Sequence, residues 1–231
     1  MHDTDGKAYA QAPCGCPQVT VDVVIFALRD GNLHVLLVRH REQGDLWAIP
    51  GGRVGGDEGL DAAAVRTLAE ETGVRDVFLE QLYTFGEPER DPRCRTISVA
   101  YFAAIPATAA VPRVSDDTGR VRWWSIYALP PLAFDHEAIL RYALTRLRYK
   151  LEYTAVGFEL LPETFTLTEL QTAYEIVLGE ALDKRNFRRK ILGAGVIEPA
   201  GGYRTGEGRP ARLYRYRDDA VAEVKARRLF P

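Results

Sequence analysis

The chain has 231 residues, enough for one large or two small domains, and 46% hydrophobic residues give it the material for packed cores. Its formal charge of −2 excludes a uniformly basic or acidic protein, yet the charge is unevenly spread: residues 184–217 hold ten Lys and Arg against two Asp and Glu. No run approaches the roughly 20 apolar residues that a membrane helix needs. The three cysteines, Cys14, Cys16 and Cys94, are an odd number that does not suggest a closed disulfide framework.

Residues 1–17 are polar, with Ala, Gly and Pro and no apolar stretch of the kind a secretory leader carries. They read as a flexible N-terminus, and free thiols point to a reducing, cytoplasmic setting. Cys14-Gly15-Cys16 has no second ligand pair nearby that would complete a zinc site. Val19 to Leu28 reads as a buried strand, Asp30-Gly31-Asn32 as a turn, and Leu33 to Arg39 as the second strand of a hairpin-like pair.

Between Gly59 and Gly73, Leu60, Ala64 and Leu68 recur at helical spacing. Asp57, Glu58 or Asp61 suits the positive end of that helix, and Gly73 supplies its stop. On it Arg66, Glu70 and Glu71 are neighbours, and position 67 falls on the same side. Three carboxylates there would hold a hard cation such as magnesium against phosphate oxygens. With Thr67 in one of the three places, a charge and a ligand are missing. Glu58, eight residues before Arg66, either reaches the same site or pairs with Arg66 and orients it.

Strand-like runs follow at Val77 to Phe85 and Thr96 to Ile105, separated by a polar loop, Gly86 to Arg95, that carries Arg90, Arg93 and Arg95. Residues 106–120 read as an exposed loop and Val121 to Ser125 as a short strand. Strands interleaved with helices imply an α/β sandwich around a mixed sheet. Pro130-Pro131 precedes a helix from about Phe134 to Leu151, striped by Ile139, Leu140, Ala143, Leu144 and Leu147. His136 opens that helix, as a cap or surface residue or as a candidate base.

A second unit is expected from residue 155 to 231, after one spanning 18–154. Thr166-Leu167-Thr168-Glu169 is a cap-like start for a helix bearing Leu170, Tyr174, Val177 and Leu178. Asp183 to Leu192 is a short second helix, with Phe187, Ile191 and Leu192 facing the core. Val196 to Pro199 and Ala211 to Arg217 form a hairpin whose tip runs from Ala200 to Pro210. Helix, helix and basic hairpin is the order of a winged helix-turn-helix. Helical phase turns Arg185, Asn186 and Arg189 outward, with Lys190 at the margin and Lys184 and Arg188 undecided. Arginine can read guanine and asparagine adenine in a major groove, while flanking cations hold phosphates. Arg204, Arg209 and Arg212 on or beside the hairpin would reach adjacent backbone.

The string Gly52, Glu58, Arg66-Thr67-Leu68-Ala69-Glu70-Glu71-Thr72-Gly73-Val74 resembles the Nudix box, with Thr67 where that pattern has glutamate. Tyr83 to Gly86, Arg90 to Arg93 and Leu129 to His136 are similar to ADP-ribose-type Nudix domains. Leu182 to Leu192 is similar to the DNA-reading segment of Nudix-related transcriptional regulators of NAD metabolism, a bacterial family. The resemblance implies a Nudix α/β/α sandwich followed by a winged helix-turn-helix. It also implies a homodimeric repressor of NAD synthesis or salvage genes, released from a pseudo-palindromic operator by ADP-ribose or a related nucleoside diphosphate. A diphosphate wants arginines, so Arg53, Arg66, Arg90, Arg93 and Arg95 are candidate effector ligands, with Glu70 and Glu71 acting through a possible magnesium ion. An adenine wants an aromatic face, for which Trp47, Tyr83, Phe85 and Tyr101 are available. The competing reading is an active, magnesium-dependent ADP-ribose pyrophosphatase that uses Glu58, Arg66, Glu70 and Glu71.

Overall fold

The computed structural model describes residues 16–40, 46–107, 120–153, 156–205 and 210–220. Cys14, Arg209, most of the expected 106–120 loop and the expected boundary at 154 and 155 lie outside the described residues.

The sheet is built on β1 (Gln18–Arg29), in which Val21 through Ala27 are all buried, as a strand covered on both faces requires. Asp30 and Gly31 take φ of 48° and 70°, the paired positive angles of a tight hairpin, and turn the chain into β2 (Asn32–Arg39). Two short strands follow, β3 (Trp47–Ala48) and β4 (Gly51–Arg53). Helix α1 (Leu60–Thr72) ends on Gly73 at φ 73°, as expected for a left-handed stop. The sheet then gains β5 (Glu80–Phe85), β6 (Thr96–Ile105) and β7 (Val121–Ser125). Its order is β3-β2-β1-β6-β5, with β4 on β1 and β7 on β2. Only β6 runs parallel to β1 among these pairings, so the sheet is mixed.

Alternation along β1 divides the core. Val21, Val23 and Ile25 join Ala63, Ala64 and Leu68 of α1 on one face. Val24 and Phe26 join Ile139, Leu140, Ala143 and Leu147 of α2 (His136–Tyr153) on the other. This is the α/β/α sandwich. Helix α2 starts at His136 rather than Phe134 because Phe134 sits at φ 54°, outside helical space, and the Asp135 carbonyl receives the first helical N–H, from Ala138.

The C-terminal unit comprises α3 (Val156–Glu159), β8 (Phe165–Thr166), α4 (Leu167–Leu178), α5 (Lys184–Gly193), β9 (Ile197–Arg204) and β10 (Ala211–Tyr216). Thr166 and Glu169 form the reciprocal capping box that starts α4. The hairpin is longer than expected. Gly201 and Gly202, at φ 79° and 76°, absorb a bulge opposite Leu213, so pairing resumes at Tyr203 and Arg204 instead of ending near Pro199. Strand β8 adds a third member to this sheet, giving the order β8-β10-β9. The fold is therefore a sandwich with a mixed sheet followed by a winged helix. The core under α2 continues without a break through Leu151, Leu170, Tyr174 and Val177 to Phe187, Ile191 and Val196, so the two units share one apolar interior. Among the described residues, no helix is long and apolar enough to cross a membrane.

Candidate functional site

The motif around α1 is organised by Arg66. Its Nε and one terminal nitrogen donate to the two oxygens of Glu58 at 3.0 and 2.6 Å, and its other terminal nitrogen donates to Glu70 at 2.9 Å. A further bond to the Arg53 carbonyl, at 3.0 Å, fixes β4 to the helix. Glu58 also accepts the Gly55 N–H at 2.7 Å. The Arg66 guanidinium and then the Gly55 amide hold the Glu58 carboxyl down at about 2. Of the two roles open to Glu58, the geometry shows the second: it orients Arg66.

Thr67 does not face the cluster as a donor. It is 2% exposed, its hydroxyl is buried without a hydrogen-bond partner, and it packs so closely under Gly52 that a β-carbon there would lie 2.8 Å from Oγ1. Glu71 is half-buried beside it. Two carboxylates thus stand where the box pattern has three, one of them drawn to Arg66. Among the described residues no group of three His, Cys, Asp or Glu side chains is placed to hold a metal ion. This donor set does not fit a resident catalytic magnesium.

The arginine loop between β5 and β6 divides its cations. Arg93 is exposed, pairs with Asp91 at 2.9 Å and lies with its guanidinium carbon 4.9 Å from the Phe134 ring centre. Arg95 is exposed and donates to the carbonyls of Glu87 and Thr96 at 3.2 and 3.5 Å. Arg90 is 7% exposed and turns inward instead. It binds both oxygens of Asp135, at 3.0 and 2.7 Å, and approaches Asp22 at 3.4 Å. Of the aromatic candidates, Trp47 and Tyr101 are buried in the core. Tyr83 is exposed on the edge strand β5 and packs with Phe85 and Tyr142 at ring separations of 5.4 and 5.0 Å.

His136 is neither a surface residue nor an available base. It is 4% exposed, its Nδ1 accepts the Ile49 N–H at 2.9 Å, and Nε2 faces Asp22 at 3.6 Å. Burial pushes its pKa down, so the ring is neutral and carries its proton on Nε2, towards Asp22. Asp22 also accepts from the buried Ser98 hydroxyl. This network of Asp22, Arg90, Asp135, His136 and Ser98 was not foreseen as a unit. Its one sequence signal is a carboxylate inside the otherwise apolar run of β1.

In the C-terminal unit, Phe187 and Ile191 anchor α5. Leu192 does not join them as expected: it is 49% exposed, because it lies 100° round the helix from Ile191, and Leu182 fills the core instead. The outward face carries Lys184, Arg185 and Arg189, all exposed, with Asn186 and Lys190 half-buried beside them. Asn186 accepts from Arg189 at 2.8 Å, and its N–H is capped by Asp183. Arg188 turns back to the Thr168 hydroxyl at 3.1 Å and ties α5 to α4. Arg204 likewise reaches the Thr164 carbonyl at 3.1 Å and Glu169 at 3.3 Å, so it fixes the hairpin to the capping box. Arg212 is exposed on β10.

Residues 18–147 match the NUDIX domain model, and residues 157–216 match that of the NrtR DNA-binding winged helix domain. The chain belongs to the NrtR group of the Nudix family. It is 40% identical, over 90% of its length and 85% of the relative's, to the ADPR responsive transcriptional repressor NtrR of Acinetobacter baylyi. Shewanella oneidensis NrtR complexed with a 27mer DNA is 37% identical, with a TM-score of 0.79 over 88% of this chain and 95% of that one. The NUDIX domain of the same Shewanella protein, solved with ADP ribose, is 35% identical, with a TM-score of 0.51 over 57% of this chain and 89% of that one. For a Nudix domain, then, the Thr67 packing is a departure within the motif itself. The winged helix domain keeps its cationic helix face in the open.

Proposed function

We propose that the protein is a ligand-controlled DNA-binding repressor of NAD synthesis or salvage genes. Its Nudix domain, from 18 to 154, binds ADP-ribose or a related nucleoside diphosphate. Its winged helix domain, from 155 to 231, places α5 in a major groove. Exposed Lys184, Arg185 and Arg189 beside Asn186 on one face of α5 are the observation that carries this reading. Arg185 and Asn186 are assigned to base edges, and Lys184, Arg189, Lys190 and Arg212 to phosphates. The protein would act as a homodimer on a pseudo-palindromic operator, with α5 helices matched to half-sites about 34–36 Å apart. ADP-ribose would favour a geometry in which that spacing no longer fits. A coupling free energy of about 1–3 kcal/mol, which spans a 5- to 150-fold change in affinity, is enough to switch occupancy.

Hydrolysis is not part of this reading, because Glu58 and Glu70 are engaged by Arg66 and Thr67 supplies no carboxylate. The test is a duplex selected by the protein from a randomised pool, titrated by fluorescence anisotropy with and without ADP-ribose. A two-fold symmetric consensus, released by ADP-ribose while AMP stays absent, is the expected result. Brisk AMP formation with no selected consensus would overturn it.

A further inference from the structure

The head of α2 is where the arginine loop and the segment leading into the Nudix box meet. From the arginine loop, Arg90 clamps Asp135 through both oxygens, and Arg93 rests on Phe134. From the link between β3 and β4, Ile49 donates its N–H to His136. The Trp47 carbonyl receives the Ala133 N–H, and the Trp47 N–H reaches the Pro131 carbonyl. Phe134 between them is held at φ 54°, a conformation that a bulky residue adopts only when its surroundings impose it. A cleft of about 360 Å³, lined by Glu89, Arg90, Pro92, Phe134 and Asp135, opens at this point.

The other end of α2 grips the winged helix domain. Arg148 donates to the Val177 carbonyl at 2.9 Å, and Leu147 and Leu151 pack in one core with Leu170, Tyr174 and Val177 of α4. The 18 residues of α2 make a rod about 27 Å long between these ends. Coupling between distant sites is carried by packed side chains, hydrogen-bond networks and rigid elements, and α2 joins its two ends through all three.

We propose that Asp135 and His136 are the positioning residues that couple the metabolite site to DNA binding. On this assignment Arg90 serves as the latch between the arginine loop and α2. A diphosphate drawing Arg93 and Arg95 towards it moves the loop, the Arg90–Asp135 clamp carries that movement to α2, and α4 and α5 follow. This inference rests on the ligand-controlled reading and adds the route by which the ligand acts.

The experiment uses full-length protein and the selected duplex, comparing the parent with Asp135→Asn. Three quantities are measured: DNA affinity, ADP-ribose affinity by calorimetry, and the ratio of DNA affinities without and with ADP-ribose. We expect DNA affinity without ADP-ribose within about threefold of the parent and the ratio, taken at the ADP-ribose saturation that calorimetry defines, reduced at least fivefold, a fold-change within the usual range of coupling energies. A merely structural role would lower the melting temperature and leave the ratio unchanged, and that result overturns the proposal. If Asp135→Asn does not fold, Asp135→Glu keeps the charge and shifts the clamp by one methylene; an unchanged ratio there overturns the proposal equally. Should the parent itself ignore ADP-ribose, the ligand-controlled reading fails, and the coupling route fails with it.

Discussion

Thr67→Glu puts back the carboxylate that the Nudix pattern has at this position, and the structure makes its cost calculable. Thr67 is 2% exposed and sits directly under Gly52, so an inserted carboxyl enters an apolar space with no donor waiting for it. Burial of this kind raises a glutamate pKa by about 3 units or more over its ordinary 4.3. The unfolded chain ionises at pH 7 while the folded chain does not, and at 1.36 kcal/mol per unit the penalty is about 4 kcal/mol. The sign follows from the raised folded value: the penalty vanishes below the unfolded pKa and grows as pH climbs towards the folded one. For a chain of this size the melting temperature should fall by roughly 10 °C at pH 8, and by much less at pH 5. Thermal melts of parent and variant at the two pH values, with and without magnesium, check this, alongside AMP release from ADP-ribose. Equal melting temperatures at pH 8 without magnesium would show that the side chain escapes to solvent, refuting the packing argument. Magnesium-dependent AMP release by the variant would show instead that the box lacks only its acid.

Glu58→Gln should remove a segment of the acid-denaturation curve. The folded carboxyl is held at about 2, so its contribution is present above the ordinary carboxylate value and is lost as pH falls towards 2; the variant should melt below the parent by a constant amount above about pH 5, and the two should converge as pH falls towards 2. Arg185→Ala should weaken operator binding by about 1–3 kcal/mol and relax sequence choice, whereas Arg212→Ala should weaken all duplexes alike and reduce the salt slope by about 1. Anisotropy titrations against selected and scrambled duplexes distinguish the two. Gly157→Ala places a β-carbon 2.7 Å from the Tyr174 ring and 2.8 Å from Leu151, and such overpacking at the domain junction should cost about 1–3 kcal/mol in urea unfolding.

What the sequence made legible is what depends on neighbours a few residues away. The Thr166–Glu169 capping box, the Gly73 stop and the Phe187/Ile191 stripe of α5 each close within one or two helical turns, and the structure places them as read. Strands β3 and β8 are not legible because two residues carry no periodicity, and β8 exists only through a partner far along the chain, β10. Leu192 was misjudged for a related reason, since a short helix offers several apolar residues to one core and tertiary packing decides among them. The loop arginines show the limit most clearly. Arg90, Arg93 and Arg95 are equivalent in sequence, yet only Arg90 is buried, because Asp135 lies 45 residues away and Asp22 lies 68 away.

That division bears on the proposal that this Nudix domain senses a ligand rather than hydrolysing it. A catalytic site needs carboxylates free to hold a cation, while here Glu58 and Glu70 are spent on Arg66 and position 67 is sealed under Gly52. The same two segments, the box strand and the arginine loop, are instead bonded to the first turn of the helix that holds the winged helix domain. These polar contacts set the position of the first turn of α2. On the proposed coupling route, a ligand that perturbs these contacts displaces α2, and with it the winged helix domain packed against its far end.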